Sequence, residues 1–210
     1  MLGCLSACLL LALSHAMMMQ PVPRPHYGNH LLRSLAPIYV THAPVNRTLE
    51  HVVPASVLRR RAPLAARRDM HNLFATAPYL NQIRAARRFA EVDASRPRDF
   101  THVGGGNYVD RGQAVFCPSV AYRGTVARAV LYMCNRWGCE PGDVVCGGSE
   151  TLWRWHEEDA PGADERLHNY LVFKMQHNSN PFISNATDAE ELLREMYPVD
   201  VLRLRQRPGL

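Results

Sequence analysis

Apolar and polar positions follow two periods along this chain. "APIYVTHAP" (36–44) and "LEHVVP" (49–54) are short runs rich in β-branched and aromatic residues, each stopped by proline, and predict two strands separated by the turn-like "HAPVNRT". The basic stretch "SVLRRRAPLAARRD" predicts a loop. A helix is then expected, with Thr76 as its cap and Pro78 in its first turn, running to about Ala90. Asn81, Arg84 and Arg88 share one face of it at i, i+3, i+7 spacing. "RPRDFTHVGGGNYVDRG" predicts a loop, and its three glycines are not a phosphate loop because no Lys-Ser/Thr pair follows. Beyond it the apolar period is helical. "RGTVARAVLYMCNRWG" should stop at Gly138, "SETLWRWHEED" should be capped by Ser149, and "ADERLHNYLVFKMQHN" is a third helix. "TDAEELLREMYP" opens with Thr187 and Glu190 in capping-box spacing. The order of elements predicts an α+β fold in one domain over 17–198, with a basic tail at 199–210.

The N-terminus changes the picture by adding a removable segment. "MLGCLSACLLLALSHA" has an apolar run of signal-peptide length and a small-x-small site ending at Ala16, so residues 1–16 are expected to be a signal peptide and the mature chain to be secreted, periplasmic or extracellular. The run is too short to cross a bilayer comfortably, and no membrane association is expected of the mature form. Cleavage would leave Cys117, Cys134, Cys139 and Cys146, an even count compatible with two disulfides in an exported chain. Their four- and six-residue gaps do not fit a zinc site built on C-x2-C. Sequons stand at Asn46 and Asn185.

Charge is unevenly spread. Between Arg47 and Arg111 there are twelve arginines against six carboxylates, whereas from Gly112 to the end ten basic residues face thirteen acidic ones. Lys174 is the only lysine, so a coding bias accounts for arginine over lysine but not for the clustering. A basic middle suits a polyanion such as nucleic acid.

Phosphodiester hydrolysis needs a base to activate water and a divalent metal to neutralise the scissile phosphate. Magnesium takes oxygen ligands and keeps several waters. His51 offers the base, Glu50 a carboxylate oxygen and Asn81 an amide oxygen, provided the strand end bends so that adjacent side chains act together. "EHVVPAS", "DMHNLFATAPYLNQIR", "YRGTVARAVLYMCNRWG" and "DERLHNYLVFKMQHNSNPF" occur in that order between Ile38 and Phe182. Together they resemble the endonuclease I family of nonspecific nucleases, of the ββα-metal or His-Me finger type.

The resemblance implies a ββα-metal core with a mainly helical surround. It implies His51 as general base, Glu50 and Asn81 as metal ligands, and one Mg²⁺, with Mn²⁺ or Ca²⁺ as alternatives. The substrate it implies is DNA, and RNA as well, cut with little sequence preference to 5′-phosphate and 3′-hydroxyl ends. Arg84, Arg88, Arg123 and Arg128 are the candidate nucleic-acid contacts. The arginine that holds the scissile phosphate is open among Arg59, Arg60, Arg61, Arg67 and Arg68. Asp69, His71 and Asn72 are read as packing residues, and Trp137, Trp153 and Trp155 as core. The sequence departs from the family at Leu49, where tryptophan is common, and at His177, where glycine is usual. No obligate protein partner is implied. The alternative reading is a basic nucleic-acid-binding protein that kept the fold and lost cleavage; a disulfide-stapled structural protein is a third class.

Overall fold

Leu49 and Glu50 lie in a strand that ends sooner than the apolar pattern suggests. In the computed structural model, which describes residues 35–40 and 46–184, β1 covers Thr48–His51 and the chain bends at Val52 and Val53. Its partner is β2 (Leu73–Thr76), paired antiparallel with Glu50 opposite Phe74 and His51 opposite Leu73. The expected order of strand, strand, basic loop, helix is therefore corrected. Of the 36–44 run, the described residues 36–40 contribute a bridge at Pro37 to Ala75, and the second strand of the pair follows the basic segment. That segment is not a loop. It forms α1 (Ala55–Arg61), a 3-10 turn at Leu64–Arg68 and another at Met70–Asn72. Val57 and Leu58 face the core, and three arginines crowd the last turn of α1, where cations suit the helix dipole.

α2 (Pro78–Arg84) follows β2. Proline stands in the first turn, as expected, but the cap position is Ala77 and Thr76 instead donates its hydroxyl to the Ile38 carbonyl at 2.8 Å. The helix stops at Arg84 rather than Ala90, because Ala85 takes a positive φ of 46° and the chain turns into β3 (Arg88–Phe89). The expected loop at 96–112 is a hairpin, β4 (Phe100–Gly104) and β5 (Asn107–Asp110). With β6 (Val115–Cys117) it builds a four-stranded sheet in the order β3-β6-β5-β4. Its glycine turn has a packing reason: Gly105 (φ +60°) passes so close to Tyr39 that a Cβ would sit 2.6 Å from the Tyr39 carbonyl oxygen.

α3 (Arg123–Trp137) is the central helix, buried from Gly124 to Cys134, and Gly138 ends it in the left-handed conformation as expected. α4 (Gly148–Glu158) packs on it and brings Trp153 and Trp155 into the core. Its cap position is Gly147; Ser149 lies inside the first turn. α5 (Ala163–Gln176) buries polar residues, Glu165, His168, Asn169 and Gln176, because its inner face meets the polar framework around the β1–β2 pair. α6 (Pro181–Ser184) closes the described chain. Mixed helix and sheet make this an α+β fold. The predicted leader at 1–16, the helix at 187–198, Asn185 and the tail at 199–210 lie outside the described residues. Among the described residues no helix is long and apolar enough to cross a membrane.

The two disulfides thought compatible with the cysteine count are not formed: Cys117, Cys134, Cys139 and Cys146 are free thiols. Burial pushes Cys117 up to about 12 and Cys139 to about 11, so both stay protonated and pack as small apolar groups.

Candidate active site

Asp69 anchors the scaffold under the site. It is fully enclosed and accepts hydrogen bonds from Tyr132 Oη (2.8 Å), Trp137 Nε1 (2.9 Å), Gln176 Nε2 (2.9 Å) and the His71 amide (3.1 Å). Arg136 Nε lies 3.2 Å away, at ion-pair distance but without hydrogen-bond alignment. The next turn is thereby tied to α3 and α5. Asn72 then grips Val53 at both ends, accepting from its amide at 2.7 Å and donating to its carbonyl at 3.0 Å. Asn72, on the turn that Asp69 fixes, thus holds the chain immediately after His51.

α2 is stitched to β1 on either side of Glu50. Asn81 donates its amide nitrogen to the Leu49 carbonyl (2.8 Å), and Arg84 donates to the carbonyls of His51 (2.9 Å) and Val52 (2.5 Å). The i, i+3 spacing on one helix face matches two carbonyls two residues apart on one strand. Glu50 points inward, 1% exposed, where Oε1 lies 3.1 Å from Arg84 Nη1 and 3.4 Å from the Tyr39 hydroxyl. Burial raises its carboxyl to about 7, against the opposing pull of Arg84 and of the Tyr39 hydrogen bond.

His51 lies at the end of β1, half-buried, with Nε2 3.0 Å from the Arg67 carbonyl. A carbonyl only accepts, so Nε2 carries the proton and the neutral ring keeps its lone pair on Nδ1. Burial, first, and then the charges of Arg84 and Arg67 hold its pKa below the usual histidine value, which outweighs the hydrogen bond to Arg67. The ring is therefore neutral at neutral pH, the state a general base needs.

The donor set fits a hard divalent cation. The amide nitrogen of Asn81 is committed to Leu49, which turns its oxygen the other way, and a buried carboxyl such as Glu50 gains from any cation that offsets its desolvation. Among the described residues no group of three or more His, Cys, Asp or Glu side chains is arranged to hold a metal, so any ion here would rest on one carboxylate, one amide and waters.

The candidate nucleic-acid arginines divide. Arg84 is 1% exposed and Arg128 fully enclosed; Arg128 forks onto Glu165 at 2.6 and 2.7 Å. Both are committed inside the protein, and their expected surface role is corrected: sequence spacing shows a face but not its burial. Arg123 pairs with Glu91 at 2.9 Å and leans over Trp155. Arg88 is exposed on β3, past the end of α2, and donates to the Gly142 carbonyl at 3.4 Å. Of the five arginines before Asp69, Arg61 pairs with Asp143 at 2.7 Å, whereas Arg67 is the one whose backbone and charge both reach His51. Tyr39 carried no signal in the sequence beyond its place in an apolar run.

The sequence model of the endonuclease I family matches residues 40–187. An extracellular deoxyribonuclease of Aeromonas hydrophila is 32% identical over 116 residues, covering 55% of this chain and 48% of its own length. A periplasmic deoxyribonuclease of the same organism is 31% identical over 116 residues, covering 55% of this chain and 46% of its own. An extracellular ribonuclease of Bacillus amyloliquefaciens is 27% identical over 139 residues, covering 59% and 46%. The chain spans about half the length of these relatives.

Proposed function

The chain belongs to the endonuclease I family, and from that premise we propose that it is a secreted, metal-dependent endonuclease cutting phosphodiester bonds of DNA, and of RNA, with little sequence preference. The β1–β2 pair followed by α2 is read as a ββα-metal core. The observation that carries the proposal is the state of His51: a neutral ring, its Nε2 proton fixed on the Arg67 carbonyl, beside a carboxylate and an amide held by one short helix.

In this reading His51 Nδ1 takes a proton from water, and the water oxygen attacks phosphorus in line with the leaving 3′ oxygen. The P–O3′ bond breaks with its electron pair going to O3′, which takes a proton from solvent water to become the 3′-hydroxyl, and the phosphate stays on the 5′ side. Arg67 holds the phosphate beside His51. Glu50 and Asn81 would hold a divalent ion, Mg²⁺ by choice and Mn²⁺ or Ca²⁺ in its place. Such an ion supplies charge neutralisation on the phosphate and on the leaving oxygen. Arg84 and Tyr39 orient Glu50. Contacts to phosphate carry no base information, which suits low specificity. Secretion is inferred from the apolar leader and from the extracellular and periplasmic relatives.

Plasmid cleavage tests this directly. The full chain should nick and linearise plasmid with Mg²⁺, and should fail with EDTA. The His51→Ala variant should lose about 10²–10⁴-fold in rate. Cleavage that survives the substitution overturns the site. Salt-sensitive plasmid binding without any cleavage would favour a binding protein.

A further inference from the structure

The described arginines sort into two sets. From Arg123 onward each is committed within the protein: Arg123 and Arg154 to Glu91, Arg128 to Glu165, Arg136 to Asp69, and Arg166 to the Pro161 carbonyl. Between Arg59 and Arg111, by contrast, several described arginines have no carboxylate at ion-pair distance, Arg87 and Arg111 among them. Arg87 and Arg111 both line a groove of about 380 Å³. The groove runs between α2 and the β4–β5 hairpin. Ile83, Val103 and Val109 form an apolar floor, and Gln82 lines one side. Gln82 and Ile83 directly follow Asn81, so the groove opens on the flank of the helix that carries a proposed metal ligand.

The two guanidiniums differ in how they are held. Arg87 donates through Nη1 to the Ile83 carbonyl, and its Nε is enclosed with no partner, so the head group is oriented before any ligand arrives. Arg111 is exposed and has no ion pair among the described residues. Two cations over an apolar floor match alternating phosphates and sugars. They do not match an acidic peptide as well, because a peptide would leave its backbone amides unpaired against Ile83, Val103 and Val109.

We propose that this groove is a second nucleic-acid subsite, in which Arg87 and Arg111 grip phosphates of the substrate strand flanking the bond presented to His51. The inference rests on the nuclease reading and deepens it by naming where the strand runs. Arg87 and Arg111 are here positioning residues for a long substrate and take no part in the chemistry.

The test measures binding of a labelled 20-base-pair DNA duplex to the full chain by fluorescence anisotropy, in EDTA so that no cleavage occurs, over a series of salt concentrations. Each phosphate contact contributes about 0.9 to the slope of log affinity against log salt, or about eightfold in affinity near 0.1 M. Arg111→Gln should weaken binding about eightfold and lower the slope by about 1. Arg87→Gln with Arg111→Gln should weaken it roughly 60-fold and lower the slope by about 2. Lys174→Gln, which removes the same unit of charge from the exposed side of α5, should change neither. Equal behaviour of Arg111→Gln and Lys174→Gln overturns the groove. Should Arg87→Gln disturb folding, as judged by circular dichroism, Arg111→Gln decides alone. Absence of salt-sensitive binding by the wild type overturns the groove if the same protein cleaves plasmid with Mg²⁺, and overturns the nuclease reading beneath it if it does not.

Discussion

Arg84 and Glu50 form an enclosed ion pair, Nη1 to Oε1 at 3.1 Å, with side chains 1% and 2% exposed. The same guanidinium also holds the carbonyls of His51 and Val52 and lies 4.3 Å above the Phe89 ring. Removing it leaves a buried carboxylate without its cation and two carbonyls without their donor. Arg84→Ala is expected to lower stability by about 3–5 kcal/mol, measured by urea unfolding at pH 8. Arg84→Lys should recover little, because one ammonium cannot reproduce a fork that serves three acceptors. A loss below about 1 kcal/mol would show that the pair contributes nothing to holding β1 on α2.

The pH dependence of cleavage should carry the mark of His51. Burial holds its pKa below the usual histidine value, so the base is mainly deprotonated at neutral pH and loses activity as the ring gains a proton. The acid limb of kcat/KM is expected below the ordinary histidine range, with a slope of about one decade per pH unit. An acid limb above 6.5 would mean that a different group limits the rate.

Much of the candidate site was legible because its residues lie close together in the sequence. Glu50 and His51 are neighbours, and Asn81 follows a proline-started helix. What the sequence hid depends on distant partners. Nothing in "IRAARRF" marks a stop after Arg84; the helix ends because Ala85 adopts a positive φ and Phe89 must reach the sheet beside Phe116. Asn81 and Arg84 do share a helix face as their spacing suggests, while Arg88 lies beyond the helix on β3; whether Arg84 and Arg128 meet solvent depends on Glu50 and Glu165, which only the fold brings near. "LFAT" is buried at all four positions, so it lacks the alternation that identifies a strand. The glycine run was seen as a loop because its partner, the backbone of Tyr39, lies far upstream.

His168 should make the protein acid-sensitive. Its Nδ1 accepts from the Ala36 amide and its Nε2 donates to the Met70 carbonyl, both at 3.2 Å, while the ring stacks flat on Phe74 at 4.6 Å. The neutral ring satisfies both contacts; a second proton would face the Ala36 N–H. Burial, with His71 nearby, lowers its pKa to about 3. Between 6.5 and 3 the unfolded chain binds the proton and the folded chain does not, so the stabilisation is complete above 6.5 and is lost as pH falls through that window. At about 1.4 kcal/mol per unit, the wild type should lose roughly 2 kcal/mol more than His168→Gln between pH 7.5 and pH 5. Parallel losses in the two proteins, read from urea midpoints, would remove His168 as the cause.

His177 ends α5 in the left-handed conformation, φ 58° and ψ 29°, with its amide bonded to the Phe173 carbonyl at 2.9 Å. A Cβ is crowded in that conformation and glycine is not, which is a physical reason for a glycine to suit this position. The imidazole itself is exposed and makes no hydrogen bond within the described structure. His177→Gly therefore removes backbone strain and no contact. It should raise stability by about 0.5–1 kcal/mol, after allowing for the extra freedom glycine gives the unfolded chain. His177→Ala removes the same ring but keeps the Cβ, and should bring no gain. Comparing the two in urea separates backbone from side chain: an equal gain in both would place the cost in the imidazole, and a gain confined to glycine would place it in the left-handed turn that hands the chain from α5 to Asn178 and the Asp69 framework.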